Sequence, residues 1–237
     1  MRLLTGSDPV SFDHLPEHYD RLAWLLGGEL QAWLGFHLIP GHRAVDLGCG
    51  TGVHTELLAD RYSEVLAVDI SAPMLAHAYL TRTRPNITWA HRDLRTVTPH
   101  TDGHFDTVFS AYVLHHIPDT DFDDVLAGIR ALAAPGGLVV LVDLADTPHS
   151  RTWFTTRAAR ALTADLARRR RPARQAWELF RLSVNPAWLT HQTTDRPLPP
   201  GQFETRYTAA FPGAQFTTFD RARLMTWTRP TDTDDAP

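Results

Sequence analysis

The sequence predicts an α/β domain in which a mostly parallel sheet carries helices on both faces. Three observations point there: short apolar runs that alternate with longer helical patterns, a glycine-rich turn closing the first run, and acidic residues closing or following the next two. The runs are 43–47, 64–69, 86–91, 105–110 and 137–144. Each is rich in Val, Leu or Ile, as expected of strands covered on both faces.

Ahead of the first run, Leu22, Leu25, Leu26, Trp33, Leu34 and Leu38 recur at helical spacing, which predicts one or two amphipathic helices over 13–38. Pro40 and Gly41 stop them. Ser71 is placed to cap the helix after the second strand, and Pro135-Gly136-Gly137 breaks the chain before the fifth. Residues 147–200 interrupt the alternation with an Arg-rich helix, several aromatics and a Pro-rich stretch, so they read as a helical cap inserted into the domain. A helix over 203–210 and strands over 214–220 and 221–228, an antiparallel pair at one edge, follow. The expected organisation is a helical lid (1–40, with a mobile arm over 1–10), a core (41–146), the cap (147–200), a returning helix and strand pair (201–230) and a disordered acidic tail (231–237).

Composition narrows the function. The chain has 237 residues, 43% of them hydrophobic, enough for one large domain with an insertion. Its single cysteine, Cys49, excludes a disulfide framework and a multi-cysteine zinc site, and no metal site is expected. No apolar run approaches the ~18 residues that span a bilayer, and no basic region leads into an apolar block at the start. A cytoplasmic protein without a membrane partner, monomeric or homodimeric, is the expectation. A formal charge of -4 argues against nucleic acid as the partner. All 23 basic residues are Arg, which reflects codon usage rather than chemistry.

The chemistry concentrates in Val45-Asp46-Leu47-Gly48-Cys49-Gly50-Thr51-Gly52, where the first strand opens into a helix. Glycines serve there because the tight turn needs unusual backbone angles and the missing Cβ lets a ligand approach. Asp69 ends the second strand, where a carboxylate can accept from both hydroxyls of an adenosine ribose. Asp93 follows the third, placed to accept from an adenine amino group while Leu94 offers its N–H. All three features fall at the strand ends where open α/β sheets bind ligands. A dinucleotide turn usually reads G-x-G-x-x-G; here the third glycine comes one residue early, which disfavours a nicotinamide enzyme.

These motifs resemble those of class I S-adenosylmethionine (SAM)-dependent methyltransferases. Asp46-Leu47-Gly48-Cys49-Gly50-Thr51-Gly52 is similar to the family's first motif, and Val68-Asp69-Ile70-Ser71 with Met74-Leu75 to its ribose-binding motif. Phe105-Asp106-Thr107-Val108 with Val113-Leu114-His115-His116-Ile117-Pro118 resembles the fourth-strand motif of the ubiquinone-biosynthesis-like, small-molecule branch. The resemblance covers about 12–146 and the final helix and strand pair. It implies a Rossmann-like seven-stranded sheet of order 3-2-1-4-5-7-6, the seventh strand antiparallel. SAM is then the cofactor. Gly48, Gly50 and Gly52 would line its methionine part, with Cys49 in the same turn, and Asp46 would orient that turn or reach the amino group of SAM through water. Asp69 would hold the ribose, Ile70 and Met74 would pack near the adenine, and Asp93 and Leu94 would meet its edge. Ser110 at the fourth strand end completes the set. His18-Tyr19-Asp20 is similar to the segment that closes over SAM, with Tyr19 on the carboxylate.

The implied function is methyl transfer to a small molecule, a secondary metabolite by the compact size of the chain. His115 and His116 are the candidates for a base or acceptor-orienting group, since an imidazole titrates near neutrality. The alternatives are an NAD(P)-dependent oxidoreductase of similar fold, a SAM-binding protein that regulates or does not methylate, and a macromolecular acceptor. Arg168 to Arg171 with Arg174 reads as a solvated helix face rather than a grip on anions. Asp119, Asp121, Asp123 and Asp124 lack the glycine and glutamate of a calcium loop and instead suit a helix start. Trp153, Phe154, Trp177, Phe180 and Trp188 form either the core of the cap or the wall of an acceptor site.

Overall fold

In the computed structural model, residues 13–144, 150–194, 197–199, 201–219 and 222–231 are described. The predicted mobile arm lies outside the described residues, as does the predicted tail beyond Thr231. The chain opens with α1 (Pro16–Leu26) and α2 (Gly28–His37), then alternates β1 (Gly41–Leu47), α3 (Thr55–Ala59), β2 (Tyr62–Asp69), α4 (Ala72–Thr81), β3 (Ile87–His91), α5 (Pro99–Asp102), β4 (Phe105–Ala111), α6 (Asp119–Leu132) and β5 (Ala133–Leu144). The cap supplies α7 (Arg151–Arg168), α8 (Ala173–Ser183) and α9 (Pro186–Thr194), and α10 (Gln202–Ala210), β6 (Gln215–Phe219) and β7 (Ala222–Thr228) close the fold.

The sheet runs β3-β2-β1-β4-β5-β7-β6, with β7 antiparallel to both neighbours and the other pairs parallel. This is the order the sequence resemblance implied. Strand order reverses between β1 and β4, so their carboxyl ends diverge and leave the crevice in which such sheets bind ligands.

One boundary differs from expectation. The fifth strand begins at Ala133, and Pro135-Gly136-Gly137 forms a bulge within it instead of a break before it. Phe105 pairs with Ala133 but Thr107 with Leu138. The bulge persists because the chain after β7 satisfies its backbone: Gly136 N–H donates to Arg229 O and Arg229 N–H to Gly137 O, both at 2.9 Å.

Each sheet face has its own core. On one, α6 buries Phe122, Val125, Leu126, Ile129 and Leu132, a helical stripe, together with Phe203, Tyr207 and Phe211. On the other, Leu30 and Leu34 of α2 join Leu58, Tyr62 and Leu75. A third cluster unites Leu22 and Leu25 of α1 with Leu179 and Trp188 of the cap. The lid is therefore part of the cap's core. Polar ties reinforce it: Arg21 forks onto Glu178 at 2.6 and 2.8 Å, and the buried Arg82 pairs with Asp20 at 2.6 Å and Glu56 at 3.2 Å. The Arg run ends α7: Arg168, Arg169 and Arg170 are exposed, while Arg171 turns back to Asp165 at 2.7 Å and to the carbonyl of Leu25 at 3.0 Å. The acidic run opens α6, with Asp119 and Asp123 held by Arg206 and Asp121 by Arg95.

Gly48, directly after β1, has φ +78, and a Cβ there would lie 2.3 Å from Cγ2 of Val113. Gly48→Ala should destabilise the fold by about 2 kcal/mol or more, from left-handed strain plus overpacking. Gly128→Ala, inside α6 with nothing within 4 Å of the added Cβ, should stabilise it by about 0.5–1 kcal/mol. Urea unfolding of both variants reads the contrast; a Gly48→Ala protein as stable as the parent would refute the packing described.

Candidate functional site

Backbone geometry comes first. After β1, Gly48 N–H and Cys49 N–H both donate to the carbonyl of Val68, at 2.7 and 2.9 Å, which ties the glycine turn to the end of β2. Asp69 extends that tie. One carboxylate oxygen accepts from Gly50 N–H at 2.7 Å and the other from Ser71 N–H at 2.8 Å, and Ser71 then caps α4 through Met74 N–H. Burial pushes the Asp69 carboxyl up from its ordinary value, and the N–H groups of Ser71 and Gly50 pull it back in part. Gly52 has no room for a side chain, since a Cβ would lie 2.5 Å from the ring of Trp89.

Under the turn, buried Asp46 accepts from the Thr55 hydroxyl at 2.6 Å and so fixes the start of α3. Burial raises its pKa to about 7; the Thr55 bond opposes this and the charge of Asp69 adds to it. Above the turn, Tyr19 of α1 sits 3.8 Å from where a Gly50 Cβ would be, and its phenol is pushed up, chiefly by burial. The Asp20–Arg82 pair holds α1 down, and with it the Tyr19 ring.

Two cavities meet here. The smaller, about 100 Å³, is lined by Tyr19, Gly48, Gly50, Asp69, Ile70, Met74, Asp93, Leu94 and His116 among the residues expected from sequence. The larger, about 270 Å³, lies under the cap and takes in His115. Tyr19 and Tyr112 line both, so they form the neck. Tyr112 has φ +61, an uncommon angle for a bulky residue, and its N–H is fixed to Val142 O at 2.7 Å.

Four expected residues do not line the smaller cavity. Asp46 braces the turn from below, Cys49 packs into the core beside Ala44 and Phe109, and Gly52 faces Trp89. Ser110 donates to the carbonyl of Leu47 at 2.7 Å, locking β4 to β1. Asp93 lines the cavity, but Arg95 forks onto both its oxygens at 2.5 to 3.0 Å. Burial raises the Asp93 carboxyl, and the Arg95 bonds outweigh it, leaving the pKa lowered.

The larger cavity is walled by α1, α7, α8 and α9, with Phe154, Phe180 and Trp188 as its aromatic surfaces. Trp177, grouped with them from sequence, points outward at 53% exposure and meets Phe180 edge-on at 5.8 Å; Trp153 likewise backs Phe154 at 5.1 Å. Helical spacing placed the aromatics in the cap but not on one face of it. At the inner end stand His54, His115 and His191. Burial, then the charge of Arg82, lowers His54 to about 4; burial, then the charge His115 carries when protonated, lowers His191 to about 3 and His116 also. His115 alone of these meets Asp143, a carboxylate at the end of β5 that sequence reading passed over inside an apolar run. Among the described residues no group of three or more His, Cys, Asp or Glu is placed to hold a metal ion.

The raised Asp46 carboxyl makes stability depend on pH with a definite sign. Its folded value, about 7, lies above its ordinary 3.8, so the fold favours the protonated form. That stabilisation is complete below about pH 4 and is lost as pH rises to 7. Asp46→Asn, which keeps an acceptor for Thr55, should melt a few degrees above the parent at pH 8, and the gap should close towards pH 4. Thermal scans at the two pH values check this; an equal loss at both would contradict it.

Comparison with known proteins agrees with the geometry. Residues 44–137 match a methyltransferase domain family. An uncharacterized methyltransferase of Mycobacterium tuberculosis is 39% identical over 114 residues, 47% of this chain and 56% of the relative. The ubiquinone biosynthesis O-methyltransferase of Methylococcus capsulatus is 35% identical over 103 residues, 43% of each chain. The chain thus spans about half the length of these curated relatives. In fold, it is similar to DhpI in its SAH complex, with a TM-score of 0.57 at 22% identity, covering 93% of this chain and 90% of that one. The sheet order, the glycine turn with its Asp69 bridge and these matches lead to one conclusion: residues 44–137 form a methyltransferase domain, set in a Rossmann-like fold of the kind class I SAM-dependent methyltransferases have.

Proposed function

We propose that the protein transfers a methyl group from SAM to a small molecule held under the cap. One observation carries this reading: a glycine-and-carboxylate cavity and an aromatic-walled cavity that share the neck formed by Tyr19 and Tyr112. The residues of the smaller cavity suit an adenosine. The Asp69 oxygens accept backbone N–H groups of Gly50, Ser71 and Ile70, and a carboxylate has about four acceptor sites, which leaves capacity for a ribose hydroxyl. Ile70 and Met74 offer apolar surface to a flat ring, and Leu94 offers an edge. Gly48 and Gly50 leave the backbone open to the amino-acid end, which Tyr19 covers.

When bound, SAM supplies a methyl group already activated as a sulfonium, so no protein nucleophile is required. The chain contributes position and exclusion of water. Tyr19 and Tyr112 set the path between the cavities, and α7, α8 and α9 cover the acceptor. A cavity of about 270 Å³ under helices favours a small, largely apolar acceptor, a secondary metabolite for instance, over a macromolecule. The lid is residues 1–40 and the cap 147–200. In the described residues no helix is long and apolar enough to cross a membrane.

Calorimetry tests this directly. S-adenosylhomocysteine should give saturable heat and NAD(H) none. Asp69→Ala should weaken the first by at least about tenfold, since hydrogen bonds to a charged group contribute about 1.5–3 kcal/mol each. Trp188→Ala, on the far side of the neck, should leave that affinity within about twofold. Heat from NAD(H) alone would refute the reading.

A further inference from the structure

On α9, Trp188, His191 and Gln192 follow one another at helical spacing and all line the larger cavity, so one face of the helix looks into it. Trp188 and His191 meet ring to ring, with centroids 5.4 Å apart. Gln192 is 9% exposed, and among the described residues its amide has no hydrogen-bond partner. Other polar groups of the cap are engaged. Asp165, buried on α7, holds Arg171 at 2.7 Å, and the Asn185 carbonyl oxygen accepts the N–H groups of Ala187 and Trp188 at 2.9 and 3.3 Å. Buried polar groups have partners with few exceptions, because an unmet one forfeits the bond it made to water. A methionine of similar size would fill the same place without that cost. The fold alone therefore gives no reason for an amide here, whereas a molecule in the cavity does.

The chemistry of that molecule follows from the amide's own atoms. A carboxamide presents an N–H donor and a C=O acceptor side by side in one plane, whichever way its end is turned. The group that meets both at once has its own N–H beside a C=O in a fixed plane, which is the edge of a cyclic amide. A carboxylate or an ammonium group meets one half and leaves the other unbonded. We propose that Gln192 selects the methyl acceptor, and that the acceptor is a flat, uncharged ring compound held by a cyclic-amide edge. This rests on the methyl-transfer reading above and gives its acceptor a chemical class.

The surrounding groups agree. His54 lines the same cavity, and its ring too has no hydrogen-bond partner among the described residues. Burial, then the charge of Arg82, keeps that imidazole neutral, so it offers one donor and one acceptor and no charge. Of the charged residues on the wall, Asp165 is paired with Arg171, Glu29 is exposed, and the Arg157 guanidinium stands 5.9 Å from the centre of the Trp153 ring. Phe154, Phe180 and Trp188 give a planar ring apolar surfaces to lie against. Flat walls and an in-plane pair of hydrogen bonds together fix both the plane of the acceptor and its rotation within that plane.

The test has two arms, both on the full chain. Without ligand, Gln192→Met should melt about 2–4 °C above the parent, because it removes a buried amide that nothing in the fold satisfies. With S-adenosylhomocysteine bound, calorimetry compares carbostyril, a bicyclic lactam, with coumarin, which has the same shape and carbonyl but a ring oxygen in place of the N–H. The parent should bind carbostyril at least about tenfold more tightly, since a site built to bond an N–H rejects the analogue that lacks it. Gln192→Met should abolish that preference while its affinity for S-adenosylhomocysteine stays within about twofold. The preference of the parent is decisive even if the variant folds poorly. A lowered melting temperature for Gln192→Met, equal binding of the two compounds by the parent, or no binding of carbostyril would each overturn the proposal. Failure to bind S-adenosylhomocysteine would instead refute methyl transfer, and the melting shift and the carbostyril preference of the ligand-free protein would still judge Gln192.

Discussion

Asp69 holds two stretches of backbone at once, the glycine turn through Gly50 N–H and the start of α4 through Ser71 N–H. Each donor is a group that the end of a strand or the start of a helix leaves without a partner, so the carboxylate satisfies a need of the fold. The same side chain lines the smaller cavity. Under the proposed function, structure and recognition would share it. Because β1 and β2 are tied in register up to Leu47 and Val68, the bridge has a fixed span and the turn can take one shape.

From that shape the rest of the site follows by exclusion. Val113 and Trp89 crowd the turn where Cβ atoms would otherwise stand, so the glycines are required by packing as much as by any ligand. The lid comes down on the turn because Arg82 offers Asp20 a buried partner, and breaking a buried pair leaves one charge uncompensated. The cap then shares its apolar core with the lid. Closing one cavity and covering the other are therefore parts of a single packing arrangement.

Much of this was legible in the residues. The strands announce themselves because parallel strands are apolar on both faces, and the turn does so because its glycines are spaced for one geometry. Asp69 was legible from its place at a strand end. Asp143 holds the equivalent place on β5 and was overlooked, because the apolar run continues through it to Leu144. Ser110 shows the opposite error: it stands at a strand end, yet its hydroxyl turns inward to a carbonyl. Position along a strand fixes which end a residue occupies, whereas the partner its side chain finds depends on the neighbouring strand. The Pro135-Gly136-Gly137 bulge was misplaced for a related reason, since the backbone groups that stabilise it lie beyond β7. Trp177, open from sequence to either the cap's core or the cavity wall, joins neither, because helix phase in a segment without neighbours in sequence is set by tertiary contacts.

A crystal structure of the protein with S-adenosylhomocysteine decides whether the bridge at Asp69 is also a ribose clasp. Both ribose hydroxyls should lie within hydrogen-bond distance of the Asp69 carboxylate while Gly50 and Ser71 keep their bonds to it, with the ligand sulfur at the neck between Tyr19 and Tyr112. A ligand seated elsewhere, or one that displaces Gly50 or Ser71 from that carboxylate, would contradict the structure's reading of a single side chain serving both fold and cofactor.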